Sequence, residues 1–443
     1  MNGWRDVLRV YGDRRVLAVL LLGFASGLPL LLTFSTLSAW LATESISRAS
    51  IGLFALVGTP YAFKFLWSPL LDRLPPPLPL GRRRGWGVTI QLLLIAAVLT
   101  LGDMDPKANL GLMAGLAVAV AFLSASQDIV IDAYRVEILT DDQQGPGAAM
   151  VQAGYRLAML TAGAGALVIA QAYGWFAAYA TMAALLALGT LVFLFGPEPS
   201  RRASAATLER ERHAEQFLQR RPHLHGAKAH LLAWLYAAVA CPFADFITRR
   251  SWLAILVFVI TYKLGEAMAG VMATPLYVSV GFSLDEIAAV SKVFGFFTTV
   301  AGVLIGGVVV NRLGVMRALL LCGILQSLGN LFYVLQAIAG HHIEYLALCV
   351  AAENLTGGMA ATALVAYISG LCNVAYTATQ YALLSSLTAI GRTVFASGGG
   401  ALAERLGWER FFLMTTVVTV PALLLLLWMM TRRPQPAAAK QDG

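Results

Sequence analysis

Long apolar runs alternate with short polar turns along this sequence, and many of the runs reach the 18 or more residues that a helix needs to cross a bilayer. The runs cover about 16–41, 50–71, 86–101, 109–139 and 148–172, with a sixth ending near 195. A polar stretch over 197–251 interrupts them, and six more follow at about 252–280, 285–310, 315–339, 343–371, 374–404 and 411–430. The pattern predicts an all-α membrane protein with twelve transmembrane helices. The expected organisation is a six-helix bundle over 1–196, a cytoplasmic linker over 197–251, a second six-helix bundle over 252–431 and a disordered tail over 432–443. The end of the linker, Leu231 to Trp252, mixes aromatic residues with an Arg pair and predicts an amphipathic piece on the inner membrane surface.

Weak repetition joins the two sets of runs. SPLLDRL resembles GVVVNRL at 307–313, DAYRVEIL aligns with VAYISGLC from Val365, and VQAGYRLAML aligns with TQYALLSSL one run later. Their shared order predicts two pseudo-symmetric bundles with a site between them. Composition narrows the class: 58% hydrophobic and 13% charged residues exclude an ordinary soluble domain. The net charge of +8 resides in turns rather than on a patterned face, which argues against a nucleic-acid partner. Roughly twenty Lys and Arg fall on one side of the expected topology and about four on the other, placing both termini inside.

The charges inside the runs carry the chemistry. Asp128, Asp132 and Arg135 sit at i, i+4 and i+7 and share one helical face. A carboxylate near the bilayer centre costs at least about 2.5–3.5 kcal/mol, so this face is expected to line a polar cavity. Lys64 and Arg156 lie about 12–13 Å into their runs, Lys263 about 18 Å and Glu353 about 15 Å, counting 1.5 Å per residue. Random scatter would favour run ends. Gly27 and Pro29 loosen the first run, where neighbours or cavity water are expected to satisfy the freed backbone groups. Gly111xxxGly115 and Gly302xxxGly306 predict close helix packing. No disulfide framework is visible in Cys241, Cys322, Cys349 and Cys372, and His223, His225 and His230 lack companion ligands for a metal.

Taken in order, GFASGLPL, LLDR…GRRR, SASQDIVIDAYRVE, YKLGE and YTATQYALLSSLTAIGRT resemble the muropeptide permeases of the AmpG type, within the major facilitator superfamily, over nearly the whole chain. The resemblance implies proton-driven import of N-acetylglucosaminyl-1,6-anhydro-N-acetylmuramic acid and its peptides across the bacterial inner membrane. The lipid bilayer is then its surroundings, the proton its coupling ion, and no cofactor and a monomeric state are expected. A distant likeness to acetyl-CoA transporters keeps another anionic solute as the alternative. An enzyme is disfavoured by the lack of HExxH, GxSxG or P-loop motifs.

The superfamily pattern also implies a gating charge relay of Asp72, Arg82, Arg83, Arg135 and Glu137, placed in and beside a basic loop at a wet surface. Proton coupling is expected of Asp128 or Asp132, with Glu266 and Glu353 as alternatives. Substrate carboxylates call for cations, Lys64, Arg156, Lys263 and Arg392. Sugars and peptide bonds call for directional contacts from Tyr61, Gln127, Tyr262, Asn354, Gln380 and Tyr381.

Overall fold

The computed structural model describes residues 10–46, 54–199, 241–249, 251–397 and 399–431. Ten helices in it are long and apolar enough to cross a membrane, and no strand occurs among the described residues. In chain order the helices are α1 (Arg14–Leu41), α2 (54–73), α3 (Arg82–Gly102), α4 (Leu110–Ile138), α5 (Asp141–Tyr173), α6 (Trp175–Phe195) and α7 (Cys241–Ile247). There follow α8 (Trp252–Ser279), α9 (Ala289–Leu313), α10 (Val315–Ala339), α11 (Ile343–Leu371), α12 (Thr377–Ser397) and α13 (Trp408–Thr431). Most of the expected linker, the three linker histidines and the tail lie outside the described residues.

The count of ten falls short of twelve at α2 and α12. Helix α2 is not one helix but four pieces, in which 3-10 turns at Phe54–Gly58 and Lys64–Leu66 alternate with α-turns at Thr59–Phe63 and Ser68–Arg73. Pro60 and Pro69 each remove an N–H and free the carbonyl four residues back. The hydroxyl just before each proline takes that carbonyl: Thr59 Oγ1 donates to Leu56 O at 2.6 Å and Ser68 Oγ to Phe65 O at 3.0 Å. Helix α12 is regular but carries Thr, Gln, Ser and Arg too densely to count as an apolar span.

Four further breaks were not foreseen. α1 breaks at Phe34, α8 at Tyr262 and Lys263, α10 at Asn330 and α13 at Thr419. The break in α8 leaves Lys263 capping the piece Leu264–Ser279, with Glu266 in its first turn, where a negative charge suits the helix dipole. The arginine triplet Arg82, Arg83 and Arg84, expected in a loop, instead forms the first turn of α3.

Glycines set the closest helix approaches. A side chain at Gly23 or Gly154 would collide with the backbone of Val151 or Leu20, so α1 and α5 touch backbone to backbone; Gly302, Gly306 and Gly358 do the same between α9 and α11. Gly115 faces open space and Gly111 meets only Asn109, so the spacing that predicted packing there does not produce it.

The parts of the chain before residue 200 and after 240 meet along a seam. Ala149 and Ala153 of α5 pack on Val303 of α9, while Ala378 and Ala382 of α12 enter a core formed with Ile131, Tyr134 and Leu71. The hydrogen bonds that we find across the seam gather at the end bearing the arginine triplet and Arg312, here called the basic end. Tyr11 donates to Leu304 O at 2.9 Å, Asn311 to Asp142 O at 2.7 Å and Arg135 to Ser369 Oγ at 2.9 Å.

Candidate functional site

Three groups of polar side chains stand on this scaffold. The first lies midway along α4. Asp128 accepts from Ser26 Oγ of α1 at 2.5 Å, and one turn further Asp132 sits 3.9 Å from Lys64 Nζ and 4.0 Å from Arg135 Nη2. The 3-10 turn of α2 brings Lys64 there, with a side chain 11% exposed. Tyr61, one helical turn earlier, stacks at a tilt on Phe34, the residue at the break in α1. The ring of Tyr381 of α12 lies under the Arg135 guanidinium at 5.3 Å.

The second group stands on the other side of the seam. Lys263 Nζ and Glu266 Oε2 are 2.6 Å apart, and Gln326 of α10 donates to the same carboxylate. Glu353 of α11 stands near Lys263, Glu266 and Arg156, the last contributed by α5 from before the linker. Side-chain exposures are 18% for Asp132, 17% for Lys263 and 27% for Glu266, so these groups are not sealed into the core.

The third group closes the basic end. Arg83 Nη2 is 2.7 Å from Asp72 Oδ1 and 2.5 Å from Glu137 Oε1, and its Nε donates to Glu137 at 3.1 Å. Arg82 adds contacts of 3.5 Å to Asp72 and 3.3 Å to Glu137 from the outer side. Asp72 in turn accepts from Thr379 N at 2.9 Å, Thr379 Oγ1 at 2.8 Å and Ala378 N at 3.4 Å, buried donors at the start of α12, where the backbone N–H groups have no partner within the helix. The side chains of Arg83, Asp72 and Glu137 are only 1–2% exposed, so the expectation of a wet surface with weak pairs is corrected. Buried pairs of this kind are costly to break, about 3–5 kcal/mol when one partner is removed.

Several expected site residues are placed elsewhere. Arg135 stands apart from the relay and points at Ser369 and Tyr381. Gln127 donates to Ala25 O at 2.9 Å, the carbonyl that Pro29 frees in α1, so it repairs the loosened helix. Tyr262 is buried against Phe258 and Tyr367, and its hydroxyl donates to Leu319 O at 2.9 Å. Asn354 accepts from Thr299 Oγ1 at 2.7 Å and donates to Val350 O at 2.9 Å. Gln380 turns away from the mid-span groups toward Asp245 of α7. The side chain of Arg392 lies outside the described residues.

Other contributors were missed. Glu198 accepts from the N–H groups of Arg83 and Arg84 at 2.9 and 3.0 Å and so caps α3. Ser26 and Gln326 hold the mid-span carboxylates, and Asp245, Arg249 and Asn373 form a cluster at the foot of α12. Gln326 was legible as a lone amide in an apolar run; Asp245 was legible as a lone acid between phenylalanines.

The sequence profile of the Major Facilitator Superfamily matches residues 42–280 and 252–443. The chain is 42% identical over 410 residues to the anhydromuropeptide permease of Escherichia coli K12, covering 92% of this chain and 78% of that protein. It is 32% identical over 415 residues to putative transporter AmpG 4 of Rickettsia felis, covering 93% and 95%. In fold it is similar to the proton:xylose symporter XylE bound to 6-bromo-6-deoxy-D-glucose, with a TM-score of 0.62, 11% identity and 95% of each chain covered. A bacterial homologue of the iron transporter ferroportin in an outward-facing state gives a TM-score of 0.65 at 14% identity, covering 94% and 99%.

Proposed function

Because the chain belongs to the major facilitator superfamily and, within it, to the anhydromuropeptide permease family, we propose that it imports an anhydromuropeptide across the bacterial inner membrane together with protons. It is a permease homologue and not an enzyme. The two moving bodies are six-helix halves on either side of the linker, and the basic end lies in the cytoplasm with both termini. The observation that carries this reading is that each side of the seam holds a mid-span set of charges, Asp128, Asp132 and Lys64 on one and Lys263, Glu266 and Glu353 on the other, with Arg156 of the first side near Glu353 of the second.

In the conformation described, the basic end is shut and substrate is admitted from the far side. Lys263, Lys64 and Arg156 attract its carboxylates, and Tyr61 and Tyr381 present ring faces and hydroxyls to sugar and peptide groups. Asp128 and Asp132 take up the proton. An isolated carboxylate in apolar surroundings holds a proton, whereas one beside a cation releases it. Opening the basic end withdraws Tyr381 and Ser369 from Arg135, leaving that guanidinium to pair fully with Asp132 and drive the proton off. Asp72, Arg82, Arg83 and Glu137 form the latch that holds this end shut until both cargoes are bound.

Uptake of labelled anhydromuropeptide into proteoliposomes tests the reading. Accumulation that requires an inward proton gradient is the expected result, and equal, flat uptake with and without the gradient would overturn it. A labelled acyl-CoA anion run in parallel tests the alternative solute class, for which no accumulation is expected.

A further inference from the structure

The first turn of α12 is gripped from two directions. Thr379 and Ala378 face Asp72, as described, while the next residue, Gln380, turns about 100° further round the helix and meets Asp245. Asp245 lies on α7, near the end of the linker span, and is 7% exposed. Its Oδ2 accepts from Gln380 Nε2 at 2.8 Å and from Arg249 Nη2 at 2.7 Å, and its Oδ1 accepts from Asn373 Nδ2 at 3.2 Å. Gln380 Oε1 closes the ring by accepting from Asn373 N at 2.7 Å and Arg249 Nη2 at 3.3 Å, and Arg249 Nη1 donates to Leu371 O at the end of α11.

Segment 245–249 is thereby tied to both ends of the turn that joins α11 to α12. None of these bonds crosses the seam, whereas those of Asp72 do. We propose that Asp245 is a positioning residue of the gate: by fixing the turn 371–380, it holds the Thr379 and Ala378 donors where Asp72 can accept them. The inference rests on the reading that the basic end opens and closes.

A carboxylate serves here better than an amide, because among the described residues three donors converge on it and one is a guanidinium. Asn at 245 would set its own N–H₂ against the Gln380 amide or Arg249 and loosen the turn. The Asp72 bonds depend on that turn, since hydrogen bonds weaken steeply once distance and angle leave their narrow range. Asp245 therefore acts on gate closure only through Asp72.

That dependence is measurable by a double-mutant cycle. With the four native cysteines replaced by serine, Asp142→Cys and Asn311→Cys place a cross-linkable pair at the seam, where Asn311 now reaches the Asp142 carbonyl. The cross-linked fraction of purified protein reports closure and needs no substrate, so it stands or falls independently of the anhydromuropeptide assignment. Asp245→Asn is expected to lower that fraction about threefold and Asp72→Asn about tenfold, with the double variant no lower than Asp72→Asn alone.

Exchanging polarity, as Asp245→Asn with Gln380→Glu, keeps an acid beside Arg249 and is expected to restore closure. If Asp245→Asn does not fold, Asn373→Ala, which removes one of the three donors, enters the same cycle. Unchanged cross-linking in these variants, or equal losses from Asp245→Asn with and without Asp72, would overturn the proposal.

Discussion

Asp132 and Glu137 stand five residues apart on α4 and are built in opposite ways. Glu137 is 2% exposed and touches Arg83 at 2.5 Å, with Arg82 and Asp72 completing a closed set. Asp132 is 18% exposed, and its nearest cations stand off at 3.9 and 4.0 Å. Glu137 is buried and saturated with close partners, so the loss of one of them is costly; Asp132 is more exposed and has room to change partner. A single helix thus carries a closely paired carboxylate and a loosely paired one, and the distance of the cations separates them.

The contrast is broken most severely at the lock. Arg83→Gln leaves Asp72 and Glu137 buried with only Arg82 near them, and thermal unfolding in detergent is expected to show about 3–5 kcal/mol of lost stability. A neutralisation among the partly exposed mid-span groups, Lys263→Met, is expected to cost less stability, because its pair with Glu266 is more exposed, and to raise the KM for anhydromuropeptide about tenfold or more, the loss of one charge-assisted contact of about 1.5–3 kcal/mol. Uptake kinetics check it; an unchanged KM would remove Lys263 from the substrate contacts.

Thr379→Val sharpens the comparison by removing one hydroxyl from Asp72 while keeping the backbone donor. About 0.5–1.5 kcal/mol of closure is expected to be lost, read as a fall in cross-linking between positions 142 and 311.

The smallest effect is expected at the far end, at Glu286. Its carboxylate accepts from Ser283 N at 2.8 Å and Ser283 Oγ at 2.9 Å and lies 3.2 Å from His341 Nε2. The Ser283 N–H, then His341 and the Ser283 hydroxyl, hold it below the usual carboxylate range. A depressed carboxylate stabilises the fold above its unfolded pKa, and this is lost as pH falls through the lowered value. Glu286→Gln is expected to flatten that acid limb of the thermal unfolding profile slightly and to leave uptake unchanged.

Most helix positions were legible because bilayer thickness fixes the length of an apolar run, and α4, α10 and α11 lie close to where hydropathy places them. The breaks were not. Nothing in YKLGE announces that α8 gives way at Lys263, since that depends on what the two pieces pack against. Depth within a run singled out Asp128, Lys263 and Glu353, because the cost of a buried charge is a property of the run itself. It did not distinguish a ligand contact from a repair: Gln127 answers to Pro29, and Gln380 answers to Asp245. Those are pairings across more than a hundred residues, and the sequence holds no distance. The relay was legible as charge types, but its burial was not, because the arginines form the first turn of α3 instead of lying in solvent.

The central claim, that the loosely held acids of α4 carry the proton, is tested most directly by following external pH while anhydromuropeptide enters proteoliposomes. Wild-type protein is expected to alkalinise the medium in step with uptake. Asp128→Asn is expected to abolish that signal while still exchanging labelled for unlabelled substrate. Undiminished alkalinisation by Asp128→Asn and by Asp132→Asn alike would contradict the account.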